Sequence, residues 1–233
     1  MLINILISDN SISVKIIICV AIIITALVSI VLHEVGHALV ALWNGDKTAK
    51  MNNRLTLNPM AHLDWIGAIS LLVFGFGWAK PVPINPNEFK NRKLGIVTVS
   101  IAGISMNLVL AALNLLLLWI FYPLLVGWVM STSAVRLLGL LFIYLFEYMV
   151  LYNVILAFFN LLPIFPLDGF NLINAFLPYG NKFSSFMFRY GWICLLGLIL
   201  VSNVLNYVGL SQFNVFHQVQ NLAMALINKV IGV

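Results

Sequence analysis

Charged residues are scarce in this sequence. Of its 233 residues only 8% are Asp, Glu, Lys or Arg, whereas 62% are hydrophobic. A soluble domain carries about 25% charged residues, so the composition excludes that class. We expect one integral membrane domain over residues 1–233. The net charge of +5 comes from few basic residues, most of them between apolar runs, where they set membrane orientation. We therefore expect contact with membrane lipid and no nucleic-acid partner.

Cysteine is almost absent as well. Cys19 and Cys194 stand in separate apolar runs, so they form neither a disulfide framework nor a metal-binding pair. The first apolar run follows no basic segment and shows no small-residue cleavage pattern. We therefore expect it to belong to the mature protein and not to a signal peptide.

Four apolar runs are long enough to cross a membrane as helices. They cover about 15–43, 94–121, 134–162 and 186–210, with Pro123 and Gly127 expected to end the second. The fold class is therefore an all-α polytopic helical bundle with about four full spans and a core at 15–170. Apolar residues at helical spacing over 211–233 predict an amphipathic tail helix at the membrane interface.

The apolar segment 65–78 is too short to cross as a helix, which takes about twenty residues. Basic residues precede and follow it, so a full crossing would put one basic loop outside. We therefore expect a short re-entrant segment. The stretches 54–57 and 80–84, which flank it, are extended in character and predict a small β-like edge element, where a substrate could add as a strand.

The first apolar run contains His33-Glu34-Val35-Gly36-His37. On a helix, histidines four residues apart lie on one face, where they can hold Zn²⁺ and leave a position for water. The neighbouring Glu34 can take a proton from that water. The alternative is a pair of hydrogen-bonded core histidines, but an ionisable residue deep in a membrane costs about 2.5–3.5 kcal/mol and usually has a function.

The basic loop after this run places the histidines nearer the cytoplasmic side of the membrane, since Lys47, Lys50 and Arg54 follow them. We expect this membrane to be a bacterial-type plasma membrane.

A catalytic zinc usually has three protein ligands, so a third is needed. The candidates are Asp168, Asp64, His62, Glu88, Glu147 and His217. Asp168 is the best candidate, because the helix-breaking residues around it predict irregular backbone at the depth of the histidines. Glu147 lies mid-span and too far away, and His217 lies on the tail helix. His62 and Asp64 form either a substrate-binding or supporting pair or a capped turn.

A second motif strengthens the choice of Asp168. The stretch Asn160-Leu-Leu-Pro-Ile-Phe-Pro-Leu-Asp168-Gly, taken with the histidine motif, resembles the site-2 protease family of intramembrane zinc metalloproteases. Pro166 stands one residue later than in the family motif, but the spacing from Asn160 to Asp168 is kept. Three other stretches also resemble family sequences, namely Gly77–Pro83, Asn58–His62 and Ala102–Asn107.

The resemblance implies a complete site. It implies that His33, His37 and Asp168 bind one zinc per chain and that Glu34 is the base. It also implies that Asn160 stabilises the oxyanion. For Asn160, and likewise for Asn107, the alternative is interhelical hydrogen bonding.

These observations predict a zinc-dependent endopeptidase that hydrolyses peptide bonds within or near a transmembrane segment of another protein. The alternative is a membrane metal-ion transporter or channel that uses the same ligands. The sequence contains no second ligand cluster along an exit path, which argues against transport. Nothing in the sequence indicates an oligomeric state.

Overall fold

A computed structural model describes residues 11–67, 70, 77–131 and 133–232, and its regular elements there are helices. The α-helices are α1 (Ile12–Trp43), α2 (Thr48–Met51), α3 (Pro59–His62), α4 (Arg92–Val129), α5 (Ser133–Leu161), α6 (Asp168–Asn174), α7 (Lys182–Tyr207) and α8 (Val215–Ile231). Short 3₁₀ turns occupy Pro86–Glu88 and Ser211–Phe213. Helices α1, α4, α5 and α7 are long and apolar enough to cross a membrane, which confirms the predicted all-α protein with four spans.

The helices α1, α4 and α5 form the centre of the bundle. Small residues let α1 and α4 approach closely, since a Cβ at Gly36 would stand 3.4 Å from the carbonyl oxygen of Ala102. A buried hydrogen bond of 2.8 Å from Asn153 Nδ2 to Ser29 Oγ joins α5 to α1. These contacts pack α1, which carries the two histidines, against both α4 and α5.

The second span is longer than the position of Pro123 suggests. We expected it to end near residue 121, but α4 continues to Val129 with Pro123 inside it. A proline removes one backbone hydrogen bond, and transmembrane helices tolerate this because neighbouring groups satisfy the freed carbonyl. At 1.5 Å per residue, this helix of 38 residues is about 57 Å long, more than the hydrocarbon thickness of about 30 Å.

The backbone after α5 is irregular only as far as Leu167. Asp168, which we expected on irregular backbone, is instead the first residue of α6. This turn needs glycine at position 169, because a Cβ there would clash with the carbonyl oxygens of Leu161 and Leu162. Gly169 therefore lets the start of α6 lie directly against the end of α5.

The predicted tail helix is α8, and it packs along the bundle. Phe216 near its start lies with its ring 5.9 Å from that of Phe159 on α5. Further along, the fully buried Ile227 packs with Leu118 of α4 and Val150 of α5. The helix thus lies along α5 and also contacts α4. Its position at the membrane interface stays a prediction.

The re-entrant segment falls largely outside the described residues, because 68–69 and 71–76 are not among them. At its two ends, Leu63 and Ala79 form an isolated antiparallel bridge. In the described part of the chain, neither 54–57 nor 80–84 is a strand, so the predicted β-like edge is not confirmed. Pro81 and Pro83 explain this in part, since proline offers no N–H to a β-ladder.

Candidate metal centre

Three side-chain atoms from two distant parts of the chain converge on one point. The Nε2 atoms of His33 and His37 lie 3.0 Å apart. Asp168 Oδ2 is 3.4 Å from the first of them and 3.2 Å from the second. In a tetrahedral zinc site with bonds of about 2.0–2.1 Å, ligand atoms stand about 3.3 Å from one another. The arrangement therefore has the dimensions of three zinc ligands with the fourth position open.

The second ring nitrogen of His37 has a partner that orients the ring. His37 Nδ1 lies 2.8 Å from the carbonyl oxygen of Val99, which can only accept, so Nδ1 carries the proton. This leaves the lone pair of Nε2 free for a metal, as is usual in metal-ligating histidines. Gly103, one turn further along α4, faces both imidazoles, and a Cβ there would clash with them. Neither Val99 nor Gly103 was singled out as a site residue from the sequence.

Asp168 reaches the histidines from the first turn of α6, where the helix dipole favours a negative charge. Burial raises the pKa of this carboxyl group, but the charge of His37 and His33 in their protonated forms, together with their hydrogen bonds, outweighs it and lowers the pKa to about 2. A divalent cation takes the place of those protons, since a carboxylate oxygen and two deprotonated imidazole nitrogens form a donor set suited to it.

Glu34 lies beside His33 in the chain but outside the group of three donors. Its Oε2 atom accepts a hydrogen bond of 2.8 Å from the backbone N–H of Val82. This contact joins residues that are 48 positions apart, and no pattern in the sequence predicted it. Its only trace in the sequence is the Pro-Val-Pro stretch in which Val82 stands.

The two asparagines differ in their surroundings. Asn160, in the last turn of α5, donates from Nδ2 to the carbonyl oxygen of Leu156 over 3.0 Å, and the second Nδ2 hydrogen has no acceptor among the described residues. Asn107 lies one turn beyond Gly103 on α4, fully buried, and neither of its amide atoms has a partner among the described residues. Within that part of the chain, neither side chain makes the interhelical hydrogen bond considered above.

The other candidate ligands lie outside the group of three. His62 is fully buried, and its Nε2 lies 2.9 Å from the carbonyl oxygen of Thr56. Asp64 accepts from the backbone N–H groups of Ile66 and Gly67 at 2.9 and 3.0 Å, so it caps a turn. Glu88, Glu147 and His217 lie on the first 3₁₀ turn, on α5 and on α8.

A cleft of about 890 Å³ opens beside the centre. It is lined in part by Arg92 and Lys93 at the start of α4 and by Asn171 of α6. It reaches Val99, whose carbonyl oxygen holds His37, and the next residue, Ser100. The residues that line the cleft include none of the three donors, so the cleft lies beside the centre and is separated from it by the wall that contains Val99.

Comparison with known proteins shows that the sequence is similar to one family of peptidases. The sequence model of peptidase family M50 matches residues 21–201, a range that contains all three donors and Glu34. A protein of Bacillus subtilis named "Putative zinc metalloprotease YwhC" is 44% identical over 160 residues, which cover 69% of this chain and 70% of that protein. No solved structure matches the chain.

Proposed function

Since this chain belongs to peptidase family M50 and is a zinc metalloprotease, we propose that it is an intramembrane endopeptidase. It hydrolyses peptide bonds within or near the transmembrane segments of other membrane proteins. The alternative of a metal-ion transporter or channel is not favoured, because the family consists of peptidases.

One observation carries this proposal. Two of the three donors, His33 and His37, lie on α1, an apolar helix of 32 residues that is long enough to cross a membrane. Seventeen positions before the first histidine, 16–32, contain no charged side chain. A peptide that reaches these donors therefore does so at the depth of an apolar helix, where soluble substrates do not enter.

The residues take different roles in this proposal. His33, His37 and Asp168 hold the zinc, which when bound supplies Lewis-acid activation of water and of the scissile carbonyl. Glu34 removes a proton from the attacking water and delivers it to the leaving amine. The second Nδ2 hydrogen of Asn160 is available to the oxyanion.

The charge pattern supports a site nearer the cytoplasmic side of a bacterial-type plasma membrane. Lys47, Lys50 and Arg54 directly follow α1. The bridge between Leu63 and Ala79 brings together the two ends of segment 65–78, as a re-entrant segment requires. Both basic loops then lie on one side of the membrane.

Comparative proteomics of membrane fractions tests the proposal. Cells that express the native chain are compared with cells that express Glu34→Gln, and new peptide termini are mapped by mass spectrometry. We expect termini specific to the native chain within or beside predicted transmembrane segments. Termini found only in domains remote from the membrane, or the same termini in both cultures, would contradict the proposal.

A further inference from the structure

An extended segment, which we call the strap, lies against the proposed base. The strap is residues 80–85, with the sequence Lys-Pro-Val-Pro-Ile-Asn. The backbone N–H of Val82 at its middle donates to Glu34 Oε2 over 2.8 Å. Among the described residues, Oε2 is the oxygen of Glu34 that accepts a hydrogen bond, and Val82 is its donor.

The strap is fastened on both sides of this contact. At one end, Arg54 donates from Nη2 to the carbonyl oxygen of Lys80 over 2.6 Å. At the other end, the backbone N–H of Asn85 donates to Asp46 Oδ2 over 2.7 Å. Arg54 and Asp46 are both buried, at 9% and 1% exposure, so both anchors are shielded from water. Such buried hydrogen bonds fix the position of the middle of the strap relative to α1.

The sequence of the strap leaves one backbone N–H, that of Val82, to contact Glu34. Pro81 and Pro83 have no N–H, so Val82 provides the single backbone donor of the three residues. The two rings also restrict the backbone around that donor. The Val82 side chain is 7% exposed and packs with Ala38 and Ala49, which fixes its rotation. The direction of the Val82 N–H toward Glu34 is therefore fixed by the packing of the Val82 side chain and by the two neighbouring prolines.

We propose that Val82 is a positioning residue, whose backbone N–H holds one oxygen of Glu34 so that the other faces the water to be deprotonated. The inference rests on the proposed function, because it assigns the orientation of the same base. A carboxylate that is not held in this way rotates freely, and misplacement of a reacting group by about 1 Å can cost about 100-fold in rate.

The hydrogen bond itself can be observed without any activity measurement. The chain contains one Pro-Val dipeptide, Pro81-Val82, so labelling proline carbonyls with ¹³C and valine nitrogens with ¹⁵N isolates the Val82 amide in one NMR signal. We expect Glu34→Gln to shift this signal upfield and to speed its amide exchange at least about tenfold, because an ionic acceptor is lost. The matched control Glu88→Gln changes a carboxylate outside the strap and should leave the signal in place. An unmoved signal in Glu34→Gln would overturn the inference.

Kinetics then separate positioning from structural support. Val82→Pro deletes the N–H, whereas Val82→Ala keeps the N–H and removes most of the packing. With a single-span substrate in proteoliposomes, we expect Val82→Pro to lower kcat at least about tenfold. Its KM should stay within about twofold and its zinc content at one per chain, since neither substrate binding nor the ligands change. Val82→Ala should lose less kcat than Val82→Pro.

Different outcomes would overturn the strap inference and the proposed function. Equal kcat values for Val82→Pro and Val82→Ala, beside an inactive Glu34→Gln, would overturn the strap inference alone. Full activity of Glu34→Gln would overturn the proposed function and the strap inference with it. If Val82→Pro does not fold, the NMR comparison of the native chain with Glu34→Gln still decides.

Discussion

Gly103 of α4 lies directly against the imidazole of His37 on α1, so close that a Cβ at position 103 would clash with the ring. We therefore expect Gly103→Ala to displace the ring and lower zinc affinity by about 10–100-fold, as loss of a group that orients a ligand does. The control is Gly127→Ala in the same helix, because nothing lies within 4 Å of a Cβ there. Isothermal titration with zinc should separate the two variants, and equal affinities would contradict the close contact.

The proposed division of labour at the centre predicts different zinc contents. Glu34→Gln should abolish cleavage and keep one zinc per chain, because Glu34 is the base and not a ligand. His37→Ala and Asp168→Ala should lose both activity and metal, since each removes one of three donors. Elemental analysis of the purified proteins measures this. Loss of zinc from Glu34→Gln, or full occupancy in Asp168→Ala, would mean that the ligand set is different.

The Asp46 anchor of the strap predicts a pH-dependent contribution to stability. Burial raises the pKa of Asp46, but hydrogen bonds from Thr48 and Asn85 outweigh it and hold the pKa below its usual value. A carboxyl group whose pKa is lower in the folded state stabilises the fold at pH values above its unfolded pKa of about 3.9. This stabilisation is lost as the pH falls through the lower pKa of the folded state. The Tm of Asp46→Asn should therefore lie furthest below that of the native chain at neutral pH. The two Tm values should converge on acidification, and a constant difference would contradict the role of the charge.

The proposed topology predicts the accessibility of two loops. Single cysteines introduced at 44–64 and at 80–93, in a chain lacking Cys19 and Cys194, should both be labelled from the cytoplasmic side. A cysteine at the α4–α5 connection provides the control for the opposite side. Labelling of the first two loops from opposite sides would rule out a re-entrant segment at 65–78.

Substrate choice should depend on local unwinding. A transmembrane helix satisfies its backbone groups internally, and this shields the scissile carbonyl until a stretch of helix opens. Substrates with Gly, Pro, Asn or Ser in the cytoplasmic half of their span should therefore be cleaved best. Replacing these residues by Leu should slow cleavage strongly, and the same changes in the outer half should have little effect. Equal cleavage of a continuous poly-Leu span, followed by gel assay in proteoliposomes, would contradict this.

Local patterns in the sequence determined the membrane spans and the face that the two histidines share. Apolar runs predicted the four spans, because a membrane-spanning helix is recognised from about twenty consecutive apolar residues alone. The spacing of His33 and His37 predicted their shared face, since it depends only on helical geometry. The choice of Asp168 as their partner needed the second motif, and the structure brings all three donors together.

Contacts between distant segments were decided by the tertiary structure. Val99 and Gly103 meet His37 only because α4 packs on α1, and Val82 reaches Glu34 only because two buried anchors hold the strap. The continuation of α4 past Pro123 and the position of α8 along α5 depend on neighbouring helices in the same way. Such contacts produce no periodic pattern in the sequence. They depend on which segments folding brings together in space, and the separation of the partners along the chain does not predict this.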